Sequence, residues 1–440
     1  MRKKRIPVIS QLFKTISILI IFTCLYCSAE RSKDTNAVQI TFWHSFVAAT
    51  RNALAELIRD FEHHHPQTKI NAQYVPSGDA LVQKLITAVQ SGTAPDISWI
   101  HADFLDKLAE VKAIYPMRKF IDSPEGLTAG ELNDIFQPLL MSATWCDTLF
   151  ALPMEATSLA LVYNQDLFIK AGLDPEKPPK TWQELIKYTK RLTGDKNADG
   201  KTDQYGFYIP VFPPSGPLNL WMILQWTPFL WQAGGKLLSE DKHTVLFNRD
   251  AGVQALELWE QLYQEQAFGN FSMSHDLGFA SQSVAMILDG PWNLPKYRQI
   301  KDFRWAVTSL PRGPVGGATY LAGEHLVIFR QSKYPDQAWT FIKWILKPET
   351  QATFSINSGY LPVNRKTLKL ENYRLYLKKD PAIRAFVSQM DSARSRQLPD
   401  RKRIEFNKYI AQALERCIIG NENPKTALDE MAKSAAALLR

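Results

Sequence analysis

At 440 residues the chain exceeds what a single ordinary hydrophobic core organises, so two lobes are the default. Its formal charge of +8 overstates its basicity: five of the 52 Lys and Arg residues precede Glu30, leaving 47 basic against 44 acidic residues, or +3. So even a balance argues against nucleic acid or an anionic surface as the partner.

Arg2, Lys3, Lys4 and Arg5, with Lys14 close behind, make a basic n-region before the uncharged, mostly apolar run Ile16 to Tyr26. That run is shorter than the roughly 20 apolar residues a spanning helix needs, and it suits the core of an export signal. Residues 1–29 are therefore expected to be a signal peptide, with the protein in the periplasm or at the cell surface. Cys24 and Cys27 sit where a lipoprotein signal keeps its modified cysteine, and ordinary cleavage after Ala29 is the rival route. Beyond the leader only Cys146 and Cys417 remain, either as a disulfide or as two separate thiols.

Residues 30–37 read as a polar tether. VQITFWHSF then reads as a buried strand, and residues 50–64 place Leu54, Leu57, Ile58 and Phe61 at helical spacing up to Pro66. KINAQYV is a second strand, ALVQKLITAVQSG an amphipathic helix and DISWI a third strand. Alternation of this kind is the signature of an open parallel α/β sheet. The pattern restarts with ALVYNQDLF and with TWQELIKYTKRL, a helix capped by Thr181. QYGFYIP, SVAMIL, FRWAVTSL and EHLVIF read as strands, VQALELWEQLYQE and DQAWTFIKWILKP as helices, and the tail from about residue 364 as mainly helical. In such sheets ligands sit beyond the carboxyl ends of strands, so the loops there hold the candidates.

Three stretches in consistent order carry a resemblance. They are ITFWHSF with the later PDISWIHADFLDKLAEVKAIYPM; ALPMEATSLALVYNQDLFIKAGLDPEKPPKTWQEL; and AMILDGPWNL with GEHLVIF and SGYLPVNR. From about residue 38 to the C-terminus the chain resembles the extracellular solute-binding proteins of family 1, which include maltose-, trehalose- and glycerol-3-phosphate-binding subunits of ABC importers. The resemblance implies a type II periplasmic-binding-protein-like fold: two α/β lobes joined by a hinge, with a ligand cleft between them. The expected lobes are 38–150 plus 313–355 and 151–312 plus 356–440. It also implies a monomer that closes on one small molecule and docks on a membrane permease, with no catalytic step.

A sugar offers hydroxyls on a ring with an apolar face, so its site needs carboxylates or amides and an aromatic platform. The resemblance puts Glu155 and Asp103 at hydroxyl-binding positions, although Asp103 also suits a helix N-cap. It puts Trp292 of DGPWNL beneath the ring. Trp43 and Ser45 end the first strand at the cleft rim, and Trp226 and Trp231 flank a proline on a helix, where either lines the cleft or fills the core. Gly323 matches a glycine whose amide approaches the ligand, and Tyr360 a tyrosine whose hydroxyl reaches it. Arg403 falls near the phosphate clamp of the glycerol-3-phosphate proteins, or else belongs to a basic helix face with Arg401 and Lys402.

Asp195, Asn197, Asp199 and Asp203 around Gly200 have the opening of a calcium loop, but Gly206 stands where the bidentate glutamate belongs. A tight polar loop is the plain reading, and calcium is the ion these residues would hold if a distant acid completed the shell. His63, His64 and His65 point about 100° apart on a helix, so they do not converge on zinc. No specific catalytic motif is present. The first reading is a sugar- or oligosaccharide-binding subunit of an ABC importer, the second a glycerol-3-phosphate or glycerophosphodiester binder using Arg403. The third is an exported glycoside hydrolase with Glu155 and Asp103 as its carboxyl pair.

Overall fold

A computed structural model describes residues 37–46, 48–76, 79–210, 220–265 and 275–439. The expected leader, with Cys24 and Cys27, lies outside them. The first sheet has five strands in the order Thr68–Tyr74, Val38–His44, Ile97–Ile100, His325–Ile328 and Leu152–Pro153. Its first three strands are parallel, as the sequence alternation predicts. His325–Ile328 runs antiparallel to them, because it arrives from the other lobe, and Leu152–Pro153 at the edge pairs antiparallel with it in turn.

Every residue of Ile97–Ile100 and His325–Ile328 is buried, as expected for strands covered on both faces. Helix Ala48–His64 covers one side, burying Ala53, Leu54, Leu57 and Phe61 at helical spacing. The second sheet orders Trp305–Thr308, Ala160–Asn164, Val284–Asp289 and Tyr205–Phe207. Helix Trp182–Leu192 packs against it, and Thr181 caps that helix by accepting from the Glu184 amide at 3.2 Å.

The chain leaves the first sheet only after Pro153, since Leu152 and Pro153 still pair with Leu326 and His325; the crossing is residues 154–159, a few positions past the expected boundary at 150. It returns between Thr308 and His325 and crosses again after helix Pro348–Ser358. These passages bond to one another. Thr157 and Ala322 exchange both backbone bonds at 2.7 and 3.0 Å, and Ala156 and Leu361 do so at 2.8 Å each. The Leu321 amide donates to the Arg394 carbonyl at 2.9 Å, and the Arg394 amide to Thr319 at 3.0 Å. The two lobes are thus joined by a short ladder of extended segments. Helix Arg403–Ile418 then packs with Pro424–Leu438 on the second lobe.

Cys146 is exposed and Cys417 buried, and both are free thiols. Among the described residues no helix is long and apolar enough to cross a membrane.

Candidate functional site

A cleft of about 360 Å³ opens where the two sheets face each other across the ladder, a size within the usual range for small-molecule sites. One wall is polar. Ser45 follows strand Val38–His44, His101 and Asp103 follow Ile97–Ile100, and Thr157 and Glu324 come from the crossings. Ser45, His101 and Asp103 lie past the carboxyl ends of their strands, where the topology rule places ligands.

Two carboxyl groups dominate this wall. Glu155 is wholly buried behind Glu324, whose backbone amide donates to Glu155 Oε1 at 3.3 Å. Burial, and then the Glu324 carboxyl beside it, hold Glu155 well above the usual carboxylate range, so it keeps its proton where an ordinary glutamate ionises. Glu324 Oε1 lies 3.3 Å from His101 Nδ1. The protonated Glu155 carboxyl also hydrogen-bonds the Glu324 carboxylate, while among the described residues Ser45 Oγ and Thr157 Oγ1 find no protein partner although buried. Orphaned polar atoms are rare in folded interiors, and on a cleft wall they are positions for a ligand's hydroxyls or for water.

The third acid is spoken for. Both Asp103 oxygens accept from Arg396 Nη2, at 2.8 and 2.7 Å, and Oδ1 accepts from the Asn407 amide at 2.7 Å. Burial opposes ionisation of Asp103, but the Arg396 charge and these bonds outweigh it and hold its carboxyl below the ordinary range. Arg396 lines the cleft with its charge already matched.

The opposite wall is apolar. Helix Leu220–Gln232 presents Leu220, Trp221 and Leu224, and Trp292 meets Trp221 edge-on with centroids 5.7 Å apart. Trp292 can lie there because residue 290 is glycine: a Cβ on Gly290 would occupy the space of the indole ring. Gly323 is required in the same way, since a Cβ there would collide with the Glu155 carbonyl. Tyr74 stands at the rim, 45% exposed, with the Arg51 guanidinium 5.1 Å from its ring centroid.

Of the expected residues, the structure brings Ser45, Asp103, Trp292, Gly323 and Tyr360 to the cleft. Glu155 lies one layer behind it, so Glu324 presents the carboxyl face. Asp103 is neither a free acceptor nor a helix cap, because Arg396 and Asn407 take its oxygens. Trp43 is buried under Lys84, and its ring nitrogen donates to Gln73 at 3.1 Å, away from the cleft lining. Trp226 and Trp231 are core residues. Residues five apart on a helix are turned by about 140°, so the face that carries Trp221 turns Trp226 and Trp231 inward.

Arg403 is also corrected. Its guanidinium is buried and donates to the carbonyls of Pro399, Ala102 and Thr144 at 3.0, 2.7 and 2.9 Å. Those bonds hold it in the structure rather than aim it at a ligand. In the Asp195 loop the side-chain oxygens serve the loop itself: Asp195 accepts from Asn197 and Gly200, Asn197 from Asp199, Asp199 from Lys201, and Asp203 from Lys196. Among the described residues no three acidic, imidazole or thiol groups gather as a metal site requires, so the calcium expectation finds no converged ligands.

Sequence reasoning missed Glu324, Arg396, His101 and Trp221. Glu324 adjoins Gly323, and Trp221 shares its helix with the two tryptophans chosen, so a helical projection would have found the latter. Arg396 carried no local signal, because its partner is 293 positions away.

The sequence profile of the bacterial extracellular solute-binding proteins matches residues 56–385. The sn-glycerol-3-phosphate-binding periplasmic protein UgpB of Pectobacterium atrosepticum is 24% identical over 450 residues, covering 97% of this chain and 96% of its own. Among solved structures, the cyclic alpha-maltosyl-1,6-maltose binding protein from Arthrobacter globiformis is similar with a TM-score of 0.78 at 25% identity, over 92% of this chain and 99% of that one. UgpB from Mycobacterium tuberculosis in complex with glycerophosphocholine gives a TM-score of 0.77 at 19% identity, over 92% and 98%, a likeness of fold alone.

Proposed function

The chain belongs to the bacterial extracellular solute-binding protein family, and from that premise we propose that it captures a neutral, hydroxyl-rich ligand, a sugar or oligosaccharide, for an ABC importer. The observation that carries the ligand class is the pairing of Arg396 with Asp103. A phosphate-bearing ligand is held most strongly by a cation free to fork onto its oxygens. In this cleft the guanidinium is matched by a carboxylate, His101 faces Glu324, and no lysine is among the described lining residues. Ser45, Thr157 and Glu324 supply hydrogen-bonding groups for hydroxyls, and Trp292 an apolar platform.

Closure is proposed to turn on the ladder formed by residues 154–159, 319–324 and 361, with the ligand shifting the balance of two lobe arrangements. The protein performs no chemistry in this reading; it acts as a monomer at a permease, tethered through residues 30–37 and, if Cys24 or Cys27 is acylated, through lipid. The names of relatives such as UgpB support glycerol-3-phosphate or a glycerophosphodiester as the second reading. Calorimetric titration of the mature protein with neutral mono- and oligosaccharides beside glycerol-3-phosphate and glycerophosphodiesters tests the choice. Heat from a neutral sugar is expected; heat from the phosphates alone would replace the first reading with the second.

A further inference from the structure

The two walls of the cleft differ in kind. The described residues that line it from the second lobe's helix Leu220–Gln232 and its neighbour are Leu220, Trp221, Leu224 and Trp292. All four are half-buried, so each keeps apolar surface facing the cleft. Leu220, Trp221 and Leu224 fall within about 100° of the helix axis and form one continuous stripe. Leu321 and Leu398 lie buried beneath the floor of the cleft. The hydrogen-bonding groups Ser45, Asp103, Thr157, Glu324 and Arg396 are gathered on the other side.

A single pyranose ring stacks on one indole, and its remaining edge carries hydroxyls. Two leucines flanking Trp221 offer those hydroxyls nothing, and a hydroxyl buried against them without a partner loses free energy. An apolar group in the same place gains it by leaving water.

Resting on the sugar-binding reading above, we propose that the ligand is a glycoside with an apolar aglycone: its sugar is held by Glu324, Ser45 and Thr157, and its alkyl or aryl group lies along Leu220, Trp221 and Leu224. The leucines then select against the free sugar, because only the substituted ligand fills the stripe. Helix Leu220–Gln232 is fixed beneath it: the Gln225 amide donates to the Leu288 carbonyl at 3.0 Å, and the Gln232 amide to Ala318 at 2.9 Å.

The test is calorimetry of the full mature chain with glucose, galactose, mannose and maltose, each as the free sugar and as its p-nitrophenyl glycoside. The best p-nitrophenyl glycoside is expected to bind at least tenfold more tightly than its parent sugar. Leu224→Gln, and separately Leu220→Gln, are expected to bring that ratio to within about threefold of one, with unfolding curves showing that each variant is folded. Free sugars binding as tightly as their glycosides would overturn the proposal while leaving the sugar-binding reading intact, as would a ratio that survives both substitutions. Glycerophosphocholine binding more tightly than every glycoside, or no binding by any sugar or glycoside, would overturn both.

Discussion

Arg396 Nη2 lies 2.8 and 2.7 Å from the two carboxylate oxygens of Asp103, across 293 residues of chain. Asp103 follows a strand of the first sheet, whereas Arg396 lies in the segment that leads into helix Arg403–Ile418 of the second lobe. The pair therefore ties the lobes together at the floor of the cleft and neutralises the one guanidinium among the described residues lining it. Breaking a buried pair leaves a stranded charge, which typically costs about 3–5 kcal/mol. Arg396→Ala and Asp103→Ala are each expected to lose stability on that scale in urea unfolding, and the double variant to lose less than the sum. Additive losses would mean that the pair does not act as a unit.

Asp103 and Glu155 pull in opposite directions with pH. Asp103 is depressed by Arg396 and Asn407 against its burial, so its contribution is present above the unfolded pKa and is lost as pH falls through the folded one. Glu155 is raised by burial and by Glu324, so the folded state holds its proton longer than the unfolded chain does. Stability then declines as pH climbs from the unfolded pKa towards the folded one. Glu155→Gln mimics the protonated acid and is expected to flatten that decline and raise stability above the ordinary carboxylate range. An unchanged decline with rising pH in thermal melts would place the carboxyl in a different state.

Gly290 carries Trp292. A methyl group at residue 290 overlaps the indole, so Gly290→Ala is expected to displace the ring from the cleft wall. Stacking of this kind contributes about 0.5–1.5 kcal/mol, or roughly 2- to 12-fold in affinity. Calorimetry with the best sugar checks this, and unaltered affinity would remove Trp292 from the site.

Arg403 is expected to matter for folding and not for binding. Removing its guanidinium strands the carbonyls of Pro399, Ala102 and Thr144, while Asp106 keeps the bond it accepts from the backbone amide of residue 403. With lost charge-assisted bonds at about 1.5–3 kcal/mol each before relaxation, Arg403→Ala should destabilise by about 3 kcal/mol. The folded variant should bind its ligand within about twofold of the parent. A loss of affinity with stability unchanged would restore the phosphate-clamp role.

The first lobe was legible because its strands and helices carry their own periodicity: Leu54, Leu57 and Phe61 repeat along a helix face, and Ile97–Ile100 is a short apolar run. The antiparallel return of His325–Ile328 was not, since nothing local states which strand it will pair with. The same division holds in the cleft. Gly323, Trp292 and Tyr360 sit in short motifs readable in place. Arg396 gained its role from Asp103 far away, and the pairing also took from Asp103 the ligand role its position suggested. Glu155 was placed at the right crossing but one layer too far forward, because sequence gives no depth along a strand end. The tryptophans of Leu220–Gln232 were separable in principle, since their five-residue spacing turns each to a different side.

The most direct test is mass spectrometry of whatever small molecule the mature protein retains when purified from its native host and then denatured. A neutral compound bearing a hexose or oligosaccharide is predicted. A phosphorus-containing ion as the stoichiometric ligand would contradict the assignment of the cleft to uncharged guests.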